Sequence, residues 1–399
     1  MQTEGNGSKV VPIRNGIEVA HPLPPAQYNL FSEKPDVLPV LVDHEGEEEL
    51  RVSEDIVLAR TADASQLVLS GFGLFLSKKG ERLLVKKRKD LLYEFPFYRL
   101  SEVTVASRGI TLSSDLIMEL CERGIQINFL HGTGRPYAKI TAPSLSATIQ
   151  ARREQFRALD DERAIEFSRT VVAGKLANQR KLLLYFGKYM KAATPERYEV
   201  VAKAAGILKG LEKQAKRVKG VSIGEVRQEL MGVEGSASRA YWEGVQEIIA
   251  EKVAFFGRIR RGATDEVNSM LNYGYGILYA QVWGAVVTAG LEPFAGFLHV
   301  DRPGKPSLVL DLVEEFRQPV VDRTVITHVN RGEPVRMEGG LLKAETRKAI
   351  SQKILERLES RETYRGKKYQ IRSIIQIQAR NLAAFLRGDR KYRTFAFKW

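Results

Sequence analysis

Glu234, His299, Asp311 and Glu314 are residue types that together can hold a divalent metal ion, and the last three fall within one string, LHVDRPGKPSLVLDLVEEFR, from Leu298 to Arg317. His299 precedes a turn containing Pro303, Gly304 and Pro306. Ser307 then stands where it can cap a helix with apolar positions Leu308, Leu310, Leu312, Val313 and Phe316. Asp311 and Glu314 lie in the polar seam of that helix, three apart and therefore on one face. Imidazole and carboxylates without a thiolate suit Mn²⁺ or Mg²⁺ in six-coordinate geometry better than a structural zinc. The same residues also allow a plainer reading. His299 is then a satisfied core histidine, and the two carboxylates are the wet side of a helix with Arg317 as an i+3 partner.

The elements that must position these residues change character along the chain. Residues 1–63 are acidic, contain Pro and lack sustained periodicity, which reads as a flexible extension. From Gln66 the runs LVLSGFGLFLS and ERLLVKKR flank Lys78-Lys79-Gly80, a hairpin signal. EVTVA (Glu102 to Ala106) and QINFL (Gln126 to Leu130) add short strands, with an amphipathic stretch, Ser113 to Glu122, between them. These make a small β-rich domain over 64–142. After Pro143 the apolar spacing turns to three-to-four residues in Ala151 to Phe186, Pro195 to Val218, Ile223 to Phe256 and Leu341 to Leu358. The fold class expected is α+β, a β-rich N-terminal domain followed by a larger all-α domain over 150–399 that holds all four candidate metal residues.

Charge is unevenly placed. Residues 1–63 carry 12 Asp/Glu against 5 Lys/Arg, a net of −7, whereas residues 64–399 carry 57 Lys/Arg against 36 Asp/Glu, a net of +21. A body so basic favours a polyanionic partner, nucleic acid above all. One cysteine, Cys121, excludes a disulfide framework and a cysteine zinc site, and the first residues lack the apolar core of a signal peptide, so a cytoplasmic location is expected. Val267 to Leu291 has no charged residue and is long enough to span a bilayer. Asn268, Asn272, Gln281 and four glycines make it instead a buried central helix, and no membrane association is expected. Gly71-Phe72-Gly73 and Gly274-Tyr275-Gly276 lack the third glycine of a dinucleotide fingerprint, and Gly304-Lys305 lacks the upstream glycine and the following Ser/Thr of a P-loop. His44-Glu45 has no second histidine in zincin register.

Three strings together, Val233-Glu234-Gly235-Ser236-Ala237-Ser238-Arg239-Ala240-Tyr241-Trp242, Asn268 to Tyr275, and the His299 to Arg317 segment, resemble the CRISPR-associated adaptation integrase/endonuclease family called Cas-one. Gly109 to His131 is similar to its β domain, and Ile374 to Arg380 followed by Tyr392 and Phe395 is similar to its C-terminal end. The resemblance spans residues 66–399. It implies metal ligands at Glu234, His299 and Glu314, with Asp311 at an additional acidic position. Lys305 stands where an arginine is common. It further implies a homodimer formed largely through the β domains and assembly with a small partner, Cas-two. The implied chemistry is spacer acquisition: the 3′-hydroxyl of a short double-stranded DNA fragment attacks a phosphodiester at the edge of a CRISPR repeat. The extension 1–63 has no counterpart in that family core.

Such a transesterification nearly conserves bond energy, so the absence of a P-loop is consistent with it. Asp311 is left two roles, orienting a water or binding a second ion. Candidate phosphate contacts are Lys213, Lys216 and Arg217, the trio Arg258, Arg260 and Arg261, and Lys305. Tyr273 and Tyr275 either stack on bases or fill the core; the uncharged stretch around them favours the core. Two other functions fit the composition: a stand-alone metal-dependent nuclease on branched DNA, and a DNA-binding scaffold without catalysis.

Overall fold

The structure is a computed structural model that describes residues 41–42, 48–53, 56–60, 65–131, 134, 136–141, 149–260 and 262–398. Its N-terminal part is built on a mixed seven-stranded sheet in the order β1 (Leu41–Val42), β2 (Glu48–Ser53), β3 (Ile56–Arg60), β4 (Ser65–Leu69), β8 (Leu100–Val105), β10 (Gln126–Leu130), β11 (Pro136–Ile140). A four-stranded sheet runs β7 (Asp90–Pro96), β6 (Arg82–Lys87), β5 (Leu74–Lys79), β9 (Thr111–Leu112). The hairpin read at Lys78-Lys79-Gly80 joins β5 to β6, with Gly80 at φ +54° supplying the left-handed turn residue. The amphipathic stretch is a helix, Ser114–Glu122, whose N-cap Ser113 accepts from the Leu116 N–H.

Alternation along β4 assigns its two faces. Leu67 and Leu69 enter the core between the two sheets with Leu76, Val85, Phe95 and Leu116, while Val68 points the other way into the helical core. The large sheet is therefore sandwiched. Against its second face lies the helix Glu266–Thr288, the uncharged stretch of the sequence, which is a buried central helix as expected. Gly276 of that helix has the Gly134 carbonyl where a Cβ would stand, 1.5 Å away, so the two glycines let the β10–β11 loop touch the helix backbone. No helix among the described residues is long and apolar enough to cross a membrane.

The remaining chain is mainly helical. Ile149–Ala158 and Glu162–Gly187 occupy the first expected stretch, separated at Asp161, whose side chain caps the second helix through the Arg163 N–H. Met190–Ala193 is a single turn. Pro195–Arg217 begins on the proline, and Ile223–Ile249 stops before Phe256. Ala344–Glu359 and Ile371–Leu386 complete the bundle.

Three expectations need correction. The segment 1–63 is not extension throughout, because 48–53 and 56–60 are strands and Ile56 is fully buried; the rest of that call falls outside the described residues except for β1. Four Glu within 45–49 obscure a strand that begins at Glu48. The C-terminal part is not purely helical either: β12 (Met337–Glu338) pairs with β13 (Leu341–Leu342), and β14 (Arg361–Tyr364) with β15 (Lys367–Gln370). Finally, the helix from Ser307 ends at Val313 and gives way to a π-helical turn, Arg317–Asp322, and then to Arg323–Asn330. Pro319, which has no N–H to donate, falls inside that turn.

Candidate active site

Glu234, His299 and Glu314, distant in sequence, line one small pocket with Val171, Val172, Lys175, Met231 and Leu298. Each arrives on a different support. Glu234 lies on helix 223–249 one turn after Met231, where Ser238 Oγ donates to its Oε1 at 3.2 Å. Glu314 ends the helix that begins at Ser307. His299 belongs to the irregular chain just before it.

That irregular chain is held by Asp311. Its Oδ2 accepts the N–H groups of Phe297 at 2.7 Å and Leu298 at 3.0 Å, and its Oδ1 accepts the His299 N–H at 2.9 Å and meets His299 Nδ1 at 2.7 Å. Asp311 is fully buried and does not line the pocket. A carboxylate with four donors around it has little left to offer a second ion. It fixes the imidazole with Nδ1–H toward itself and leaves the Nε2 lone pair as the free ligand atom. Ser307, expected as a helix cap, is instead the first helical residue after Pro306, and its hydroxyl serves the same loop by accepting the Gly296 N–H at 2.8 Å and donating to the Phe294 carbonyl at 2.7 Å. Gly296 is required there, since a Cβ would lie 2.5 Å from the Ser307 backbone.

Lys175, from helix 162–187, is the site residue the sequence reading missed. It is 3% exposed; its ammonium hydrogen-bonds Glu234 and lies 2.6 Å from Glu314 Oε2. Its signal was available: one lysine inside the apolar run Val171-Val172-Ala173-Gly174-Lys175-Leu176 must find a buried partner. Arg317 donates to the other Glu314 oxygen at 2.9 Å, so the plainer i+3 pairing is present as well. Burial opposes ionisation of Glu314, yet Arg317 and Lys175 outweigh it and hold the carboxyl well below the usual range. Glu234 shows the same contest: burial raises its pKa, Lys175 lowers it, the Glu314 charge raises it, and the balance is downward.

The pocket is thus built around positive charge. Among the described residues no three His, Cys, Asp or Glu side chains already converge as a ligand cage, because the Lys175 ammonium draws the two carboxylates onto itself. The donors nevertheless fit a hard divalent ion. Two ionised carboxylates and one imidazole lone pair face the same space, and Glu314 Oε2, buried, has an ion-pair partner but no aligned hydrogen-bond donor.

The candidate phosphate contacts divide. Lys213, Lys216 and Arg217 are exposed on helix 195–217, with Lys216 2.5 Å from Glu212. Arg260 is exposed, Lys305 is half-exposed in the turn before Pro306, and Arg261 lies outside the described residues. Arg258 is an internal clamp: it donates to Asn268 Oδ1 at 2.9 Å and Asn272 Oδ1 at 2.5 Å, and its guanidinium lies 5.3 Å from the Tyr275 ring centre. It is committed to the fold. The tyrosines are core residues, Tyr273 bonding Ser351 at 3.0 Å and Tyr275 donating to buried Asp322, which also accepts from Tyr241 at 2.7 Å.

Comparison with known proteins places the chain in a family. A family model described as CRISPR associated protein Cas1 matches residues 67–356. The CRISPR-associated endonuclease Cas1 1 of Archaeoglobus fulgidus is 36% identical over 346 residues, covering 84% of this chain and 100% of the relative. The chain belongs to the Cas1 family. A second relative, an endonuclease Cas1 1 from Francisella tularensis subsp. novicida, is 34% identical and covers 84% of this chain and 99% of its own. Among solved structures, a casposase bound to integration product superposes with TM-score 0.69 at 25% identity, covering 82% of this chain and 92% of that one. A CAS1 protein from Thermotoga maritima has the same fold at TM-score 0.66 and 19% identity, over 82% of this chain and 98% of that one. The Cas-one resemblance of the three sequence strings is therefore correct, and with it the β-then-helical fold class. Cas1 membership supports a nuclease or integrase role in CRISPR adaptation.

Proposed function

We propose that this Cas1 protein is a metal-dependent DNA integrase and endonuclease that joins the 3′-hydroxyl ends of short double-stranded DNA fragments to a CRISPR repeat. The observation that carries this reading is the buried Lys175 ammonium between Glu234 and Glu314, beside the free Nε2 of His299: the pocket keeps two carboxylates ionised around a cation. In this reading Glu234, His299 and Glu314 hold one Mn²⁺ or Mg²⁺, which supplies Lewis-acid stabilisation to the phosphate under attack. Asp311 keeps His299 in the tautomer that faces the pocket. The Lys175 ammonium, buried beside both carboxylates, would be the pocket's own cation for a phosphate oxygen.

The reaction balances without nucleotide hydrolysis. The fragment's 3′ oxygen bonds to the phosphorus at the repeat's 5′ edge, the bond from that phosphorus to the 3′ oxygen of the flanking nucleotide breaks, and the hydroxyl proton ends on that departing 3′ oxygen. Water in place of the 3′-hydroxyl nicks DNA, which accounts for the endonuclease names of the relatives. Exposed Lys213, Lys216, Arg217, Arg260 and Lys305 are the phosphate contacts of this reading. In this reading the protein acts as a homodimer in the prokaryotic cytoplasm with a small Cas2 partner; the Cas2 partner is supported by the Cas6-RT-Cas1–Cas2 complex, a chain of which has the same fold at TM-score 0.66. The test is joining of a labelled 3′-hydroxyl fragment to a repeat-containing plasmid in Mn²⁺. Strand-transfer products longer than the input are expected from the wild type and none from His299→Ala. Shortened products alone, from branched DNA, favour the stand-alone nuclease; binding without any cleavage or joining favours the scaffold.

A further inference from the structure

The chain between helices 223–249 and 266–288 carries the most exposed large apolar side chain among the described residues, Phe256, at 90%. Its neighbours explain why it stands out. Phe255 is buried and packs edge-on against Trp242, with ring centres 5.9 Å apart, which anchors the segment. Gly257 at φ +104° turns the chain in a conformation closed to other residues. Asn268, itself buried, then staples the turn: its Nδ2 donates to the Gly257 carbonyl at 2.9 Å and its Oδ1 accepts the Ile259 N–H at 2.9 Å. A loop so fastened presents the Phe256 ring rather than hiding it.

The loop is also tied to the pocket. Arg258 and Arg317 lie over the same Tyr275 ring, at 5.3 and 4.2 Å from its centre, and Arg317 donates to Glu314. The charge of exposed Arg260 is among those acting on Glu234. Aromatic ring, half-exposed Ile259 and exposed cation therefore form one solvent-facing rim on a loop that connects, through Arg258, Tyr275 and Arg317, to Glu314 of the carboxylate pocket. A protein partner at this rim would have to tolerate an uncompensated cationic surface, whereas a nucleic acid strand offers a π face to the ring and a phosphate to the guanidinium at once.

We propose that Phe256 stacks on a nucleobase of the DNA strand whose phosphate occupies the Glu234/His299/Glu314 pocket, with Arg260 on an adjoining phosphate. The loop is then a positioning element that sets how far the strand can slide past the pocket. This rests on DNA being the substrate of that pocket, as proposed above.

The experiment uses the full chain and branched DNA carrying 2-aminopurine at successive positions beside the junction, with binding measured in EDTA so that no result depends on metal. In the wild type, 2-aminopurine fluorescence is quenched at one position. Phe256→Ala abolishes that quench and weakens binding about 10-fold, with an unchanged salt slope. Phe256→Trp restores both, and Phe256→Leu, equally apolar but without a π face, does not restore the quench. Arg260→Ala leaves the quench in place and lowers the salt slope by about 1. Unchanged quench and affinity in Phe256→Ala overturn the proposal, as does full rescue by leucine. So does a change of oligomeric state in Phe256→Ala with the quench intact, which would mean that a second copy covers the ring. Joining by the wild type in Mn²⁺, run in parallel, separates failure of stacking from failure of the integrase reading.

Discussion

Glu314 and Glu315 are adjacent on the chain and both buried, yet they face two regions with opposite electrostatics. Glu314 enters the pocket, where Arg317 and Lys175 overcome burial and keep it ionised. Glu315 enters a socket for the C-terminal segment, where it accepts from the Tyr392 hydroxyl, from Gln378 at 2.7 Å and from the Phe395 N–H at 2.8 Å, all neutral donors. There burial dominates and pushes its pKa up to about 7. Burial alone does not mark a functional carboxylate. What distinguishes the pocket is the surplus of cations around a carboxylate kept charged, and the tail socket is the control built into the same two residues.

The largest expected effect separates the two directly. Glu314→Gln lowers strand joining on the order of 100-fold or more, through loss of an ionised ligand, whereas Glu315→Gln stays within a few-fold in the same assay because it can still accept hydrogen bonds. Equal losses in both would break the comparison. Stability reverses the ranking. Glu315→Ala strands the Tyr392, Gln378 and Phe395 donors and costs about 3 kcal/mol in urea unfolding.

The pH dependence carries opposite signs. Glu315, raised from 4.5 in the unfolded chain to about 7, contributes stability that is complete below pH 4.5 and lost as pH rises through about 7. That loss is on the order of 3 kcal/mol and disappears in Glu315→Gln. Glu314, lowered from 4.5, contributes stability present above that value and lost as pH falls below it. Urea midpoints of the wild type and Glu315→Gln across pH 4 to 8, about one measurement per pH unit, give the slope difference.

Smaller effects sharpen the roles within the pocket. Asp311→Asn cannot accept all of its present donors, and Mn²⁺ affinity by calorimetry falls about 10- to 100-fold, less than in His299→Ala. Lys175→Met removes the resident cation, so added Mn²⁺ raises the Tm of this variant about 2–4 °C more than that of the wild type. An equal Tm response would mean that Lys175 and the ion do not compete.

Much of this was legible in the sequence, for identifiable reasons. The hairpin at Gly80, the strand at 126–130 and the helix at 195–217 announce themselves by period and by punctuation with Gly and Pro. Glu234, His299 and Glu314 were placed in one site by motif resemblance, and the fold brings them to one pocket. Less legible was anything set by tertiary partners. The i, i+3 spacing of Asp311 and Glu314 puts both carboxylates on one helix face, with Asp311 left to orient a water or bind a second ion, but Asp311 turns behind His299 to bind three backbone N–H groups. The ladder of Arg258, Arg260 and Arg261 looked uniform, whereas Asn268 and Asn272 draw Arg258 inward. No spacing rule encodes that, because the asparagines lie on another element. Strand 48–53 is hidden by charge, since Glu48, Glu49 and Arg51 leave little apolar alternation to read, whereas 56–60, Ile-Val-Leu-Ala-Arg, is an apolar run obscured only by the acidic residues that flank it.

The most direct measurement is anomalous diffraction from crystals of the protein grown with Mn²⁺. The account predicts one peak about 2.1 Å from Glu234, His299 Nε2 and Glu314, with the Lys175 ammonium moved off both carboxylates. A pocket still bridged by Lys175 at saturating Mn²⁺, or a peak bound elsewhere, would contradict it.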